Sequence, residues 1–244
     1  MKILVIGESC KDVFKYGKVS RLEPSAPVPV FELVDSVENA GMAGNVLGNL
    51  ASLGVSVDIH TNNNWENITK TRFAERKTNH MFMRVDENDA GYGRSSVGDL
   101  NYEIYDAVVV SDYDKGFLTR DDLRTIKSSH DVVFLDTKKA IGEWTLECAT
   151  YVKVNNYELS RSGRIPKSLR EKLIVTLGPE GASHKGVTHP VPHVEIKDLS
   201  GAGDTFISGL VVKYIETGDI HESIIYANEC STAAVQKRGV SVLS

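Results

Sequence analysis

DLSGAGDTF, residues 198–206, places two glycines around an alanine, then an acid, then the start of an apolar helix. The helix is legible in the next ten residues, where Phe206, Ile207, Leu210, Val211, Tyr214 and Ile215 recur at the spacing of one packed face. Asp204 therefore stands near a helix N-terminus. First-turn amides have no intrahelical acceptor and carry partial positive charge, so the backbone of Gly201, Ala202 and Gly203 leading into them forms an anion cradle. The stretch reads as a place that holds phosphate beside a carboxylate. Taken alone, Gly-Ala-Gly before a helix equally allows close helix–strand packing, and the other segments have to decide.

Elsewhere along the chain, β-branched runs occur at Ile3 to Ile6, Ala107 to Val110, Val132 to Leu135, Tyr151 to Val154 and Leu173 to Leu177. Between most of them lie helical patterns at 43–53, 120–129, 140–148, 204–216 and 220–237. Gly54 and Gly239 stand as helix stops, and Ile224, Ile225, Ala227 and Ala234 as the inward face of the last helix. Apolar strands alternating with helices predict an α/β fold with a mainly parallel central sheet covered on both faces. Residues 13–35, with Pro24, Pro27 and Pro29, and residues 72–97, with the strand-like His80 to Val85, break the alternation. They read as a small β lid that could cover a pocket, with proline tolerated at its edge. The expectation is one domain spanning 1–244.

The 244 residues, 41% hydrophobic, suffice for one sizeable core. A net charge of −5 without charge blocks argues against a nucleic-acid or membrane-surface partner. Cys10, Cys148 and Cys230 are odd in number and far apart, which fits buried thiols in a reducing compartment better than disulfides or zinc. No apolar run approaches the roughly 20 residues of a membrane span, and MKILVIG reads as a buried strand, so a cytoplasmic protein is expected. His184, His189 and His193 lie in strand-like sequence around Pro190 and Pro192, and no metal is expected there.

A P-loop GxxxxGK[ST] and a GxGxxG after the first strand are both missing. Instead LSGAGDTF resembles the second signature of the ribokinase/PfkB family of carbohydrate kinases, D-T-x-G-A-G-D-x-F. The order of the remaining motifs resembles that family too: AGMAGNVLGNLASLG at 40–54, the N-x-x-E motif at Asn155 to Glu158, and IVTLGPEGA at 174–182. Within the family the likeness is to heptose-phosphate kinases, the kinase half of a bifunctional enzyme of ADP-heptose synthesis. It is carried by YGKVSRLEPSAPVPVFE at 16–32, KTRF at 70–73, MRVDEND at 83–89 and VVSDYDKGFLT at 109–119.

The resemblance implies a ribokinase-like fold and an ATP- and Mg²⁺-dependent sugar kinase. Asp204 would be the base that takes the proton of a sugar hydroxyl, with the Gly201, Ala202 and Gly203 amides receiving the phosphoryl group. Asn155 and Glu158 would orient Mg²⁺; three apart after a strand, they are equally a helix capping box. Thr176, Gly178, Gly181 and Asn228 would line the ATP groove, and Asp198 and Ser200 would hold a monovalent cation such as K⁺. On the sugar side stand Asp12, Gly41, Asn45 and Asp112. Arg84 and Lys115, ahead of Arg21 and Arg72, would meet a phosphate already on the sugar. The lid strands imply a homodimer.

The chain departs from the family in three places. Met42 takes the second glycine of the sugar motif, Leu199 replaces Thr in the final signature, and only NNNWENI follows Thr61 where relatives insert a helix-bearing stretch. The implied acceptor is the anomeric hydroxyl of a heptose 7-phosphate. Another sugar or sugar phosphate, or a degenerate member that only binds nucleotide or sugar, remain the alternatives.

Overall fold

Alternate residues of a strand point to opposite faces, and in the central strands of this chain both sets are apolar. The protein is described by a computed structural model at residues 1–237 and 239. In chain order the first half holds β1 (Lys2–Gly7), β2 (Ser9–Leu22), β3 (Pro29–Met42), α1 (Ala43–Ser52), β4 (Ser56–His60), β5 (Thr69–Glu75), β6 (Met81–Glu87) and β7 (Ala107–Asp112). There follow α2 (Arg120–Ser129), β8 (Val133–Thr137), α3 (Glu143–Glu147), β9 (Tyr151–Asn155), α4 (Asn156–Ser160) and β10 (Leu173–Thr176). The last elements are β11 (Ala182–His184), β12 (Val187–His189), α5 (Ala202–Thr217) and α6 (Ile220–Val235).

The main sheet has eight strands in the order β12-β11-β10-β9-β8-β7-β1-β4. It is parallel from β4 to β10, and β11 and β12 close one edge antiparallel. Ile3, Val5, Val109 and Phe134 pack beneath α1, α5 and α6 through Val46, Leu50, Leu210 and Ile224. The other face presents Leu4, Ile6, Val108 and Leu135 to Leu123, Ile126 and Leu146 of α2 and α3. The period-two split of each strand between two cores is why these runs carry no polar alternation. All three cysteines are buried free thiols.

β1 pairs with β4 on one side and β7 on the other, so the strand order reverses between β1 and β7. A crevice opens at the carboxyl ends of strands at such a point. A second sheet, β3-β2-β5-β6, rises beside it. It is larger than the sequence segments foretold, running from Ser9 to Glu87. Pro24 and Pro27 fall in the turn between β2 and β3, and Pro29 opens β3. Residues 88–97 carry no strand; Tyr92 and Val97 from this segment enter the main core.

Three sequence expectations need correction. The helix foreseen over 140–148 is only Glu143–Glu147, because Gly142 is its N-cap and donates its N–H to Thr145 Oγ1. The last helix ends at Val235, before Gly239. Ile225 is 49% exposed rather than inward, since one residue of helix turns the side chain about 100° from Ile224.

Candidate active site

Gly201 is the N-cap of α5, in left-handed conformation at φ 80° and ψ 0°. Ala202, Gly203 and Asp204 form the first turn, whose amides have no intrahelical acceptor. Asp204 is 7% exposed. Asn45 Nδ2, in the first turn of α1, donates to its Oδ2 at 2.7 Å, and the Tyr113 hydroxyl donates to Oδ1 at 3.2 Å. Asn49 buttresses Asn45 by donating to its backbone O, at 2.9 Å, and accepts from Thr205 Oγ1 at 3.2 Å. Burial pushes the Asp204 carboxyl up to about 6, with the Asp136 charge adding to the rise while Asn45, Lys153 and Tyr113 oppose it. A carboxyl poised there is ionised at neutral pH yet basic enough to take a proton.

The Tyr113 phenol is raised well above its ordinary value by burial and by the nearby charges of Asp204, Asp136 and Asp12. Sequence reading missed this tyrosine and what holds it. Buried Glu8, just past β1, accepts from the N–H groups of Tyr113 at 2.8 Å and Lys115 at 3.0 Å, tying the loop after β7 across the crevice. Burial and the charge of Asp112 raise the Glu8 carboxyl. Asp112, expected on the sugar side, is buried, and its carboxylate accepts from Thr137, Lys139 and the N–H of Asp114.

On the second sheet, Asp12 pairs with Arg72, and the Arg72 guanidinium lies over Phe14. Gly41 is pressed against this carboxylate, since a β-carbon there would collide with Asp12 Oδ2. Arg84 is the register partner of Arg72 and holds Asp86 in two bonds. Lys70 and Lys115 both bind Asp89, which also accepts from Tyr92. Against the upward pull of burial, these contacts hold the Asp89 carboxyl well below its usual range. Of the four candidate cations, Lys115 binds Asp89 beside Lys70, Arg84 reaches that cluster through Asp86, which also pairs with Lys70, Arg72 holds Asp12, and exposed Arg21 stands near the end of β2. Lys70, missed in the sequence, is the most buried of this set.

Asn155, Thr176, Gly178, Gly181, Asn228, Ala202 and Gly203 all line one cavity of about 400 Å³. Part of its remaining wall, Val191 to Val194 and Ile196, had no sequence signal beyond Pro192. Asn155 and Glu158 form the capping box that the sequence left as an alternative: Asn155 Oδ1 accepts from Glu158 N and Glu158 Oε2 from Asn155 N, both at 2.9 Å. The other Glu158 oxygen meets Lys138. Nearby, Asp136 binds Lys153 at 2.7 Å, while its Oδ1 is buried without a hydrogen-bond partner. Asp198 accepts from the N–H groups of Ser200 and Gly239 and from Asn79. Of the three histidines, His184 meets His221 edge-on and His189 meets it at a tilt, rather than His193, and no metal-competent cluster occurs among the described residues. A larger cavity, about 1070 Å³ beneath residues 162–167, touches none of the candidate residues.

Met42 occupies the N-cap of α1 at φ 60° and ψ −128°, with its sulfur 3.5 Å from the Tyr92 hydroxyl. A side chain is costly in that region of backbone space, by about 1–3 kcal/mol.

The profile of the pfkB family carbohydrate kinases matches residues 44–244. The bifunctional protein HldE of a Nitratiruptor species is 29% identical over 293 aligned positions, which take in 98% of this chain and 62% of the relative. HldE of Helicobacter pylori (strain J99) is likewise 29% identical and is covered over 64% of its length. The chain thus spans a little under two thirds of these curated relatives. The 293 positions exceed the 244 residues here, so the relative carries stretches this chain lacks. In three dimensions a nucleoside kinase of Methanocaldococcus jannaschii superposes with a TM-score of 0.70 at 16% identity, covering 98% of this chain and 93% of the other. No helix among the described residues is long and apolar enough to cross a membrane.

Proposed function

The chain belongs to the pfkB family of carbohydrate kinases, and we propose that it transfers the γ-phosphoryl group of ATP to the anomeric hydroxyl of D-glycero-D-manno-heptose 7-phosphate, giving the 1,7-bisphosphate. One observation carries the reading: Asp204 sits on the first turn of α5 beside the cavity, buried, and held by Asn45 and Tyr113. The sugar oxygen attacks the γ-phosphorus, its proton passes to Asp204, the bond to the β-phosphate oxygen breaks and ADP leaves. The amides of Gly201 to Asp204 face the charge that develops, at fixed positions that need little reorganisation. ATP is assigned to the cavity lined by Thr176, Gly178, Gly181 and Asn228.

Asp12, Gly41 and Asn45 are assigned to the sugar, with Arg72, Arg84, Lys70 and Lys115 as the cations around a sugar phosphate. Heptose is supported by the motifs at 16–32, 70–73, 83–89 and 109–119 together with the HldE likeness. Asn155 and Glu158 would orient a magnesium ion through its waters, their side-chain oxygens already meeting the capping-box N–H groups and Lys138. When bound it would neutralise phosphate charge. Asp198, which accepts from Asn79, Ser200 and Gly239, is assigned with Ser200 to a monovalent cation such as K⁺.

A cytoplasmic homodimer through the second sheet belongs to the same proposal. Phe31 stacks edge-on with Phe73 and Phe82, and beside them Leu33 and Met83 are 57% and 53% exposed. The experiment for substrate is a panel of sugars and sugar phosphates, heptose 7-phosphate included, with ATP and Mg²⁺. ADP release confined to another sugar would move the substrate, and none with any sugar would favour a binding protein.

A further inference from the structure

Strand β9 reads Tyr-Val-Lys-Val-Asn, a charge at the centre of a strand that is otherwise suited to the core. Lys153 is 4% exposed and lies across from Asp136 in the β8–β9 register. Its Nζ donates to Asp136 Oδ2 at 2.7 Å. A β-carbon built on Gly203 would stand only 2.8 Å from the same Nζ. The ammonium therefore packs against bare backbone in the first turn of α5.

Positive charge in that place opposes ordinary packing rules. A helix N-terminus is itself positive, and taking an ammonium out of water is costly unless it is paired. Asp136 answers one charge, but a buried pair of this kind adds little net stability and is often replaceable by apolar side chains. Stability alone does not account for it. The geometry of Gly203 and Asp204 does, because the ammonium stands behind the backbone that would receive an anion.

We propose that Lys153 is a positioning residue for phosphoryl transfer: held by Asp136 under Gly203, it seats the Gly201–Asp204 backbone and keeps positive charge behind the transferring phosphoryl group. This rests on Gly201–Asp204 being the phosphoryl cradle. Asp204 also feels the pair. Asn45 of α1 and Tyr113 of the loop after β7 donate to it, Asp136 of β8 favours its protonated form, and Lys153 of β9 favours its ionised form. Lys138, beyond Asp136, and Asp12, beyond Tyr113, are the other charges in reach.

The test uses the full chain. Lys153→Met/Asp136→Asn removes the pair without leaving a buried charge, and its melting temperature reports folding. ADP with aluminium fluoride, a planar phosphoryl mimic that needs no sugar, is titrated against ADP alone. The expected result is unchanged ADP affinity, ~10-fold weaker binding of the fluoride complex and a similar fall in kcat, below the 10²–10³ of a direct oxyanion donor because Lys153 acts through backbone. In Asp136→Asn alone the unshared ammonium shifts the acid limb of kcat/KM to lower pH, and adding Lys153→Met moves it back. Wild-type kcat and fluoride-complex affinity in a folded double variant would overturn the proposal. If that variant fails to fold, an unmoved acid limb in Asp136→Asn overturns it instead. Asp204→Asn separates the two levels: normal turnover there removes the base reading itself, whereas loss there with an indifferent Lys153 removes only this proposal.

Discussion

Asn45 Nδ2 donates to Asp204 Oδ2 at 2.7 Å, joining two helix N-termini that lie 159 residues apart in sequence. The bond stabilises the ionised carboxylate against the burial that raises it to about 6. Asn45→Ala removes that support. The acid limb of kcat/KM should then move to higher pH, with roughly fivefold less activity at pH 6 for ~1.4 kcal/mol of lost stabilisation of the carboxylate. A pH profile that superposes on wild type would separate Asn45 from the base.

Asp204→Asn is expected to keep nucleotide affinity and lose at least ~10² in turnover. Its stability should change in the opposite sense. The folded value of Asp204 lies above the ordinary 3.8, so its contribution favours folding only below about pH 4 and is lost as pH rises through 6. The asparagine variant escapes that penalty. Its melting temperature should exceed wild type at pH 7–8, by a free energy on the order of 2–3 kcal/mol at most, and the gain should vanish near pH 3.

Glu8 holds the loop after β7 through the N–H groups of Tyr113 and Lys115. Glu8→Ala takes the acceptor from the N–H groups of half-buried Tyr113 and exposed Lys115, a loss of about 1–3 kcal/mol in all. Chemical denaturation should show the loss. Because the Tyr113 hydroxyl then leaves Asp204, kcat should fall further than the KM for ATP rises.

Gly41→Ala would force its new carbon onto Asp12 Oδ2 and within 3.0 Å of Cys10 Sγ. Asp12 would have to leave Arg72. The expected outcome is a raised KM for the sugar with the KM for ATP unchanged; equal effects on both would argue that Asp12 serves the fold alone.

Leu33→Glu and Met83→Glu place charge on the apolar face of the second sheet. Sedimentation should show wild type as a dimer and each variant as a monomer. A wild-type monomer over the micromolar range would remove the proposed contact.

The strands and helices were readable because burial imposes a period. Ile3 to Ile6 and Ala107 to Val110 read as strands covered on both faces, as the structure has them. Asp204 was readable for the same reason, since its neighbours 198–206 are local in sequence and a helix start has a local signature. The partners of Asp204 were not. Tyr113 and Glu8 follow two different strands and Lys153 sits in the middle of a third, and nothing in their own segments states that they converge. The partners of Asp112, Thr137 and Lys139, lie on the next strand and the turn after it and were equally out of reach of a local reading.

The α/β class, the family likeness and the place of the GAGD turn are properties of short segments and their order, and the amino-acid string sufficed for them. It could not specify that Asn45 and Tyr113 hold Asp204, that Arg72 holds Asp12, or that Lys153 lies under Gly203. Those contacts depend on strand order and register, which bring together residues separated by 50 to 159 positions. Only the folded sheet fixes such distances.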